Sequence, residues 1–135
     1  MQASDILEFT LYRGPCLGEC PVFEFIARRD GTYSFNGKRY IEPLGVQNGQ
    51  FYEFLFDRLA AVCLELRVLE LEDNYHSDFD DVSSLDVWVK HTGGHKKISC
   101  DGGDVLPTRL WAMAELIEVT MREAMRYNKQ RQKRK

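Results

Sequence analysis

A chain of 135 residues, 44% of them hydrophobic and 12% aromatic, is long enough to bury one core without disulfides or metals as obligatory staples. No apolar run approaches the roughly 18 residues needed to cross a bilayer, which excludes a membrane-spanning helix. The formal net charge of −3 hides an asymmetry: Lys129, Arg131, Lys133, Arg134 and Lys135 crowd the last seven residues and leave 13 basic against 21 acidic groups, net −8, in residues 1–128.

Such a body repels nucleic acid, so any phosphate contact would have to run through the tail. The tail is too polar to pack and is expected to be disordered, giving a single domain over 1–128 and a basic tail over 129–135. Met1-Gln2-Ala3-Ser4-Asp5 has neither the basic nor the apolar region of a secretory signal and reads as the start of a cytoplasmic protein. In that compartment Cys16, Cys20, Cys63 and Cys100 are expected as thiols, metal ligands or transient redox pairs rather than durable cystines.

Ile6 to Arg13 alternates, with Leu7, Phe9 and Leu11 on one face, and reads as a half-buried strand that stops at Gly14-Pro15. Val22 to Arg29 is a second strand; Asp30-Gly31 and Asn36-Gly37 are hairpin signals that predict a three-stranded meander. A two-residue Asp30-Gly31 loop would set Ile26 opposite Phe35 and Arg28 opposite Tyr33, a register in which neither face is clearly the outer one.

From Gln50 the period changes to three and four through Phe51, Phe54, Leu55, Leu59, Val62 and Leu66, a helix with Asn48 as its cap. Val68, Leu69 and Leu71 form a short strand candidate inside an acidic stretch from Glu65 to Asp86. Leu85 to Thr92 and His95 to Cys100 flank a Gly93-Gly94 hairpin. Pro107 opens a last helix whose core stripe is Leu110, Met113, Ala114, Ile117, Met121 and Ala124, running to about Arg126. The order predicts an α+β fold: a mostly antiparallel sheet (three-strand meander, helix, two or three strands, helix) with two helices packed on it.

Pro15-Cys16-Leu17-Gly18-Glu19-Cys20-Pro21 is the most sharply specified local feature. Prolines on both sides and Gly14 and Gly18 rule out a regular helix, so Cys16 and Cys20 lie on a loop. A central glycine can bring their Cα atoms within disulfide range, roughly 4.4 to 6.8 Å. Three readings stay open: an architectural turn, a reversible redox pair, and part of a zinc site.

Arg13-Gly14-Pro15-Cys16-x-Gly18-x-Cys20-Pro21, then Asp30-Gly31-Thr32 and Leu69-x-Leu71-x-Asp73-x-Tyr75, resembles the uncharacterised bacterial family called domain of unknown function 6438 over most of residues 5–125. The resemblance implies membership of a fold rather than a mechanism. Relatives of exported type would imply a Cys16–Cys20 disulfide; the N-terminus of this chain departs from that type.

For metal, a zinc site would draw on Cys16, Cys20 and one more ligand, His95 or Cys100. His91 and His95 cannot share an ion, because a hairpin at Gly93-Gly94 alternates them onto opposite faces. Asp78-Phe79-Asp80-Asp81 lacks the EF-hand pattern, and Tyr75-His76 would need a cleft to act as an acid–base pair. No hydrolase, kinase or dehydrogenase motif is present, and no cofactor is expected. The leading functional reading is a non-catalytic module that binds a basic protein or sequesters a ligand, through the sheet and the acidic segment, with Asp73, Tyr75, Asp78, Asp80, Asp81 and Trp88 as candidate contacts. The rival reading is a thiol-redox or thiol-metal protein centred on Cys16 and Cys20.

Overall fold

The computed structural model describes residues 1–79 and 83–133. Seven strands form one sheet: β1 (Ile6–Arg13), β2 (Val22–Arg28), β3 (Thr32–Arg39), β4 (Gly45–Gln50), β5 (Asn74–Tyr75), β6 (Leu85–His91) and β7 (Gly94–Cys100). Their order across the sheet is β4-β3-β2-β1-β6-β7-β5, antiparallel throughout except for the parallel β5–β7 pair. Two helices, α1 (Glu53–Glu65) and α2 (Thr108–Lys133), complete an α+β fold.

The β2–β3 register corrects the expected one by a single residue. Three residues, Arg29, Asp30 and Gly31, make the loop; the Gly31 N–H bonds the Arg28 carbonyl, and Gly31 itself takes φ +86°. This is a tight turn followed by a left-handed glycine, a three-residue hairpin. Phe25 therefore faces Phe35 and Ala27 faces Tyr33, and both strands turn their large side chains the same way. Phe23–Phe35 and Phe25–Tyr33 ring pairs at 5.9 and 5.7 Å follow from that register.

Asn36-Gly37 is no turn: β3 runs straight through it. Gly37 is needed because a Cβ there would lie 2.1 Å from the Pro43 carbonyl oxygen, where the next loop folds back. The meander thus has a fourth strand, β4, and Asn48 sits within it rather than capping a helix. Helix α1 begins after Tyr52 and buries Phe56, Leu59, Ala60 and Cys63, while Phe54 from the expected stripe points to water. Val68–Glu70 is a 3-10 turn instead of a strand, and the β6–β7 turn is Thr92-Gly93, two residues off the expected pairing; that shift is even, so His91 and His95 still fall on opposite faces.

Inner-face side chains Phe9, Leu11, Val87, Val89 and Ile98 meet both helices, and every residue of the expected α2 stripe is buried. Leu7 leaves the inner face because the β1 register shifts between Ile6 and Glu8, putting Ile6 in the core instead. Each fully buried large side chain contributes roughly 1.5–3 kcal/mol. Residues 129–133 continue α2 rather than forming a disordered tail. Lys, Gln and Arg are straight-chain helix formers, and Arg131 reaches back to the Gln50 side chain at 3.3 Å.

Candidate functional site

Strand directions place the long connections at one end of the sheet. The β1–β2 loop (14–21), the β3–β4 loop (40–44), the β5–β6 connection (76–84) and the β7–α2 connection (101–107) share the end where Arg13 pairs with Leu85 and Val22 with Arg39. At the other end the turns are tight: 29–31, 51–52 and 92–93. Long loops on a rigid scaffold are where binding groups concentrate.

The first of these loops is pinned at each step. Arg13, the last residue of β1, donates from Nε to Glu118 Oε1 at 2.6 Å and from an Nη to Glu115 Oε1 at 3.1 Å, both on α2. Gly14 is buried, and its N–H bonds the Ser84 carbonyl at 2.9 Å; a Cβ would come within 1.9 Å of the Ser84 Oγ. Cys16 and Cys20 are joined in a disulfide with Cα atoms 5.8 Å apart, against the expectation that durable cystines would be absent. The staple holds Leu17 outward, 81% exposed.

Beside it, Tyr40 takes φ +54°, which is strained for a bulky residue, and Leu44 is also exposed. Across the sheet, Asp101 organises residues 76–79. Its Oδ1 accepts the Ser77 N–H at 2.6 Å and its Oδ2 pairs with His76 Nδ1. Those contacts, the Ser77 amide first, hold the Asp101 carboxyl below its ordinary value. Ser77 is buried with its Oγ accepting from the Phe79 N–H, and Phe79 stands in water. The His76–Asp101 pair orients an imidazole whose side chain is 79% exposed.

Among the described residues, both helices cover one face of the sheet and leave the other bare. A groove of about 640 Å³ crosses the bare face, lined by Glu8, Glu24, Ile26, Trp88, Lys90 and His95 among others. Trp88, paired with Thr10 and Lys97, is half-buried there, and the Lys97 ammonium lies 4.6 Å from its ring centre.

The sequence candidates are scattered over these surfaces. Asp73 forms an ion pair with Lys96 at 2.6 Å on the β7 edge. The Tyr75 hydroxyl accepts the Glu72 N–H at 2.9 Å and its ring packs at the core margin. Asp78 is exposed at the loop end, Trp88 belongs to the bare face, and Asp80 and Asp81 lie outside the described residues. The Cys16, Cys20 and His95 zinc set is not assembled: the two sulfurs bond each other, and His95 is roughly 17 Å along β7 from Cys100, toward the opposite end of the sheet. Among the described residues no three His, Cys, Asp or Glu side chains cluster as a metal site. Cys63 and Cys100 are free and buried; burial pushes the Cys63 thiol up to about 12 and the Cys100 thiol upward.

Leu17, Tyr40 and Leu44 were not among the sequence candidates. Leu17 was visible between the cysteines, but its exposure depends on the closed loop. Among the described residues no helix is long and apolar enough to cross a membrane. The family model described as Domain of unknown function (DUF6438) matches residues 7–120, and the chain belongs to that family. No curated protein matches it.

Proposed function

We propose that this family member is a non-catalytic binding module that meets a protein partner through the loop end of its sheet. The observation that carries the reading is the exposure of Leu17, Tyr40, Leu44 and Phe79 on three loops gathered at that one end. Apolar side chains held in water on pre-organised loops bind without a large ordering cost, which is how interface anchors work. Glu19, Glu42 and Asp78 are exposed on the same loops, Asp104 is exposed on the β7–α2 connection at the same end, and together they favour a basic partner by charge complementarity. Affinity capture with Leu17→Glu and Phe79→Glu beside the unmodified protein tests this. Loss of the same captured basic protein with both variants, at unchanged thermal stability, is expected; retention by both overturns the reading.

The Cys16–Cys20 disulfide favours a second reading, thiol-redox chemistry. A cytoplasmic location, part of the same proposal, would expose this short surface bridge to a reducing thiol pool. Substituting both cysteines with serine separates the two readings. A binding module keeps its partner, whereas a redox protein loses thiol–disulfide exchange with a dithiol reductant.

A further inference from the structure

We infer that β4 is a self-pairing edge, joining β4 of a second copy of this chain in antiparallel register. Independently of the loop-end reading, the inference rests on which backbone groups of β4 the molecule already uses. The Gln50 N–H bonds Asn128 Oδ1, and Asn128 Nδ2 bonds the Gln50 carbonyl, so Gln50 turns its backbone away from β3. The Phe51 N–H, by contrast, turns inward to the Gly31 carbonyl. Alternation along an antiparallel strand then aims the N–H and C=O of Asn48 and Val46 outward as well. Among the described residues, none outside the sheet bonds the backbone of Val46 or Asn48.

Natural edges are blunted by charge, proline or shortness. The opposite edge, β5, is two residues long. β4 has six residues, Gly45-Val46-Gln47-Asn48-Gly49-Gln50, with neither charge nor proline, and Val46 is 63% exposed. Asn128 caps the Gln50 end as a strand would, leaving Val46 and Asn48 open. A two-fold axis through Gln47 pairs Val46 with Asn48 of the other copy twice over, giving four main-chain hydrogen bonds. The same axis carries Glu42, just ahead of β4, toward Arg131 of the second copy, which lies against Gln50. Because the acidic end of the strand meets the basic end of its mate, the charges select the antiparallel self-pair over other extended segments.

Sedimentation velocity over about a hundredfold range of concentration should show a reversible monomer–dimer equilibrium. Amide exchange at Val46 and Asn48 should slow as the dimer forms. Val46→Pro removes an outward donor without touching the β3 ladder and should weaken the dimer roughly tenfold or more at unchanged melting temperature. Should that variant fold poorly, charge exchange decides: Glu42→Arg alone weakens association and Glu42→Arg with Arg131→Glu restores it. Leu17→Glu should leave association unchanged, which separates this inference from the loop-end reading. A monomer at every concentration, concentration-dependent protection elsewhere, or indifference to the substitutions overturns it. A monomer whose Val46 and Asn48 amides are protected only by an added extended peptide overturns it in favour of strand addition by a foreign chain.

Discussion

Arg13 and Glu118, 105 positions apart, meet at 2.6 Å and tie the root of the disulfide loop to the middle of α2. The Glu118 side chain is 12% exposed and Arg122 also contacts it. Arg13→Ala should therefore cost about 1–3 kcal/mol, toward the lower end because Arg122 keeps the carboxylate paired. Arg13→Lys should recover only part, since a lysine cannot reproduce the two-direction fork to Glu118 and Glu115. Urea unfolding midpoints of the three proteins check this.

The Cys16–Cys20 bridge closes a short loop, so its removal should lower stability by only about 2 kcal/mol on the chain-entropy account, leaving the sheet intact. Thiol counting gives a parallel check. At pH 8 the native protein should resist alkylation, because Cys63 and Cys100 are buried and their thiols are pushed up. Unfolding without reductant should expose two reactive thiols, and unfolding with reductant four.

Gly37→Ala should be severe, about 2–4 kcal/mol, because the new methyl would meet the backbone carbonyl of Pro43 rather than a movable side chain. Amide chemical shifts of Tyr40, Ile41, Glu42 and Leu44 should move most. An equally stable variant with unshifted loop resonances would contradict the close packing of that loop on β3.

Asp101 gives the loop end an acid limit. Its carboxyl lies below the ordinary 3.8 because the Ser77 N–H and then His76 favour the charged form. A depressed folded value means that the stabilisation is complete above the unfolded value and is lost as pH falls through the folded one. The Ser77 amide resonance should titrate below pH 3.8, and Asp101→Asn should abolish that titration.

Much of the fold was legible because its signals are local. Phe9 and Leu11, Val87 and Val89, and the Leu110 to Ala124 stripe repeat with the periods of a strand or a helix, and each lies where its period put it. The Gly14-Pro15 stop and the cysteine turn were equally readable, since proline and glycine restrict the backbone within a residue or two.

What remained hidden depended on partners distant in the chain. Asn36-Gly37 carries a hairpin signature, yet Gly37 serves the close approach of Pro43 and the strand continues. The β2–β3 register turned on one residue of loop length, and the need to bury Phe25 and Phe35 on the same face decided it. For the candidate site, sequence supplied the two cysteines and part of the acidic segment, while the Arg13–Glu118 tie, the seat of Ser77 on Asp101 and the collection of four long loops at one end arose from strand order. By itself, then, the sequence determined β1, β2, β6, β7 and the core stripe of α2, the charge division and the turn at Cys16–Cys20, because these rest on short-range sterics and periodicity. Tertiary structure alone decided register, the bare face, the open β4 edge and the exposure of Leu17, because each depends on which distant segment removes a given surface from water.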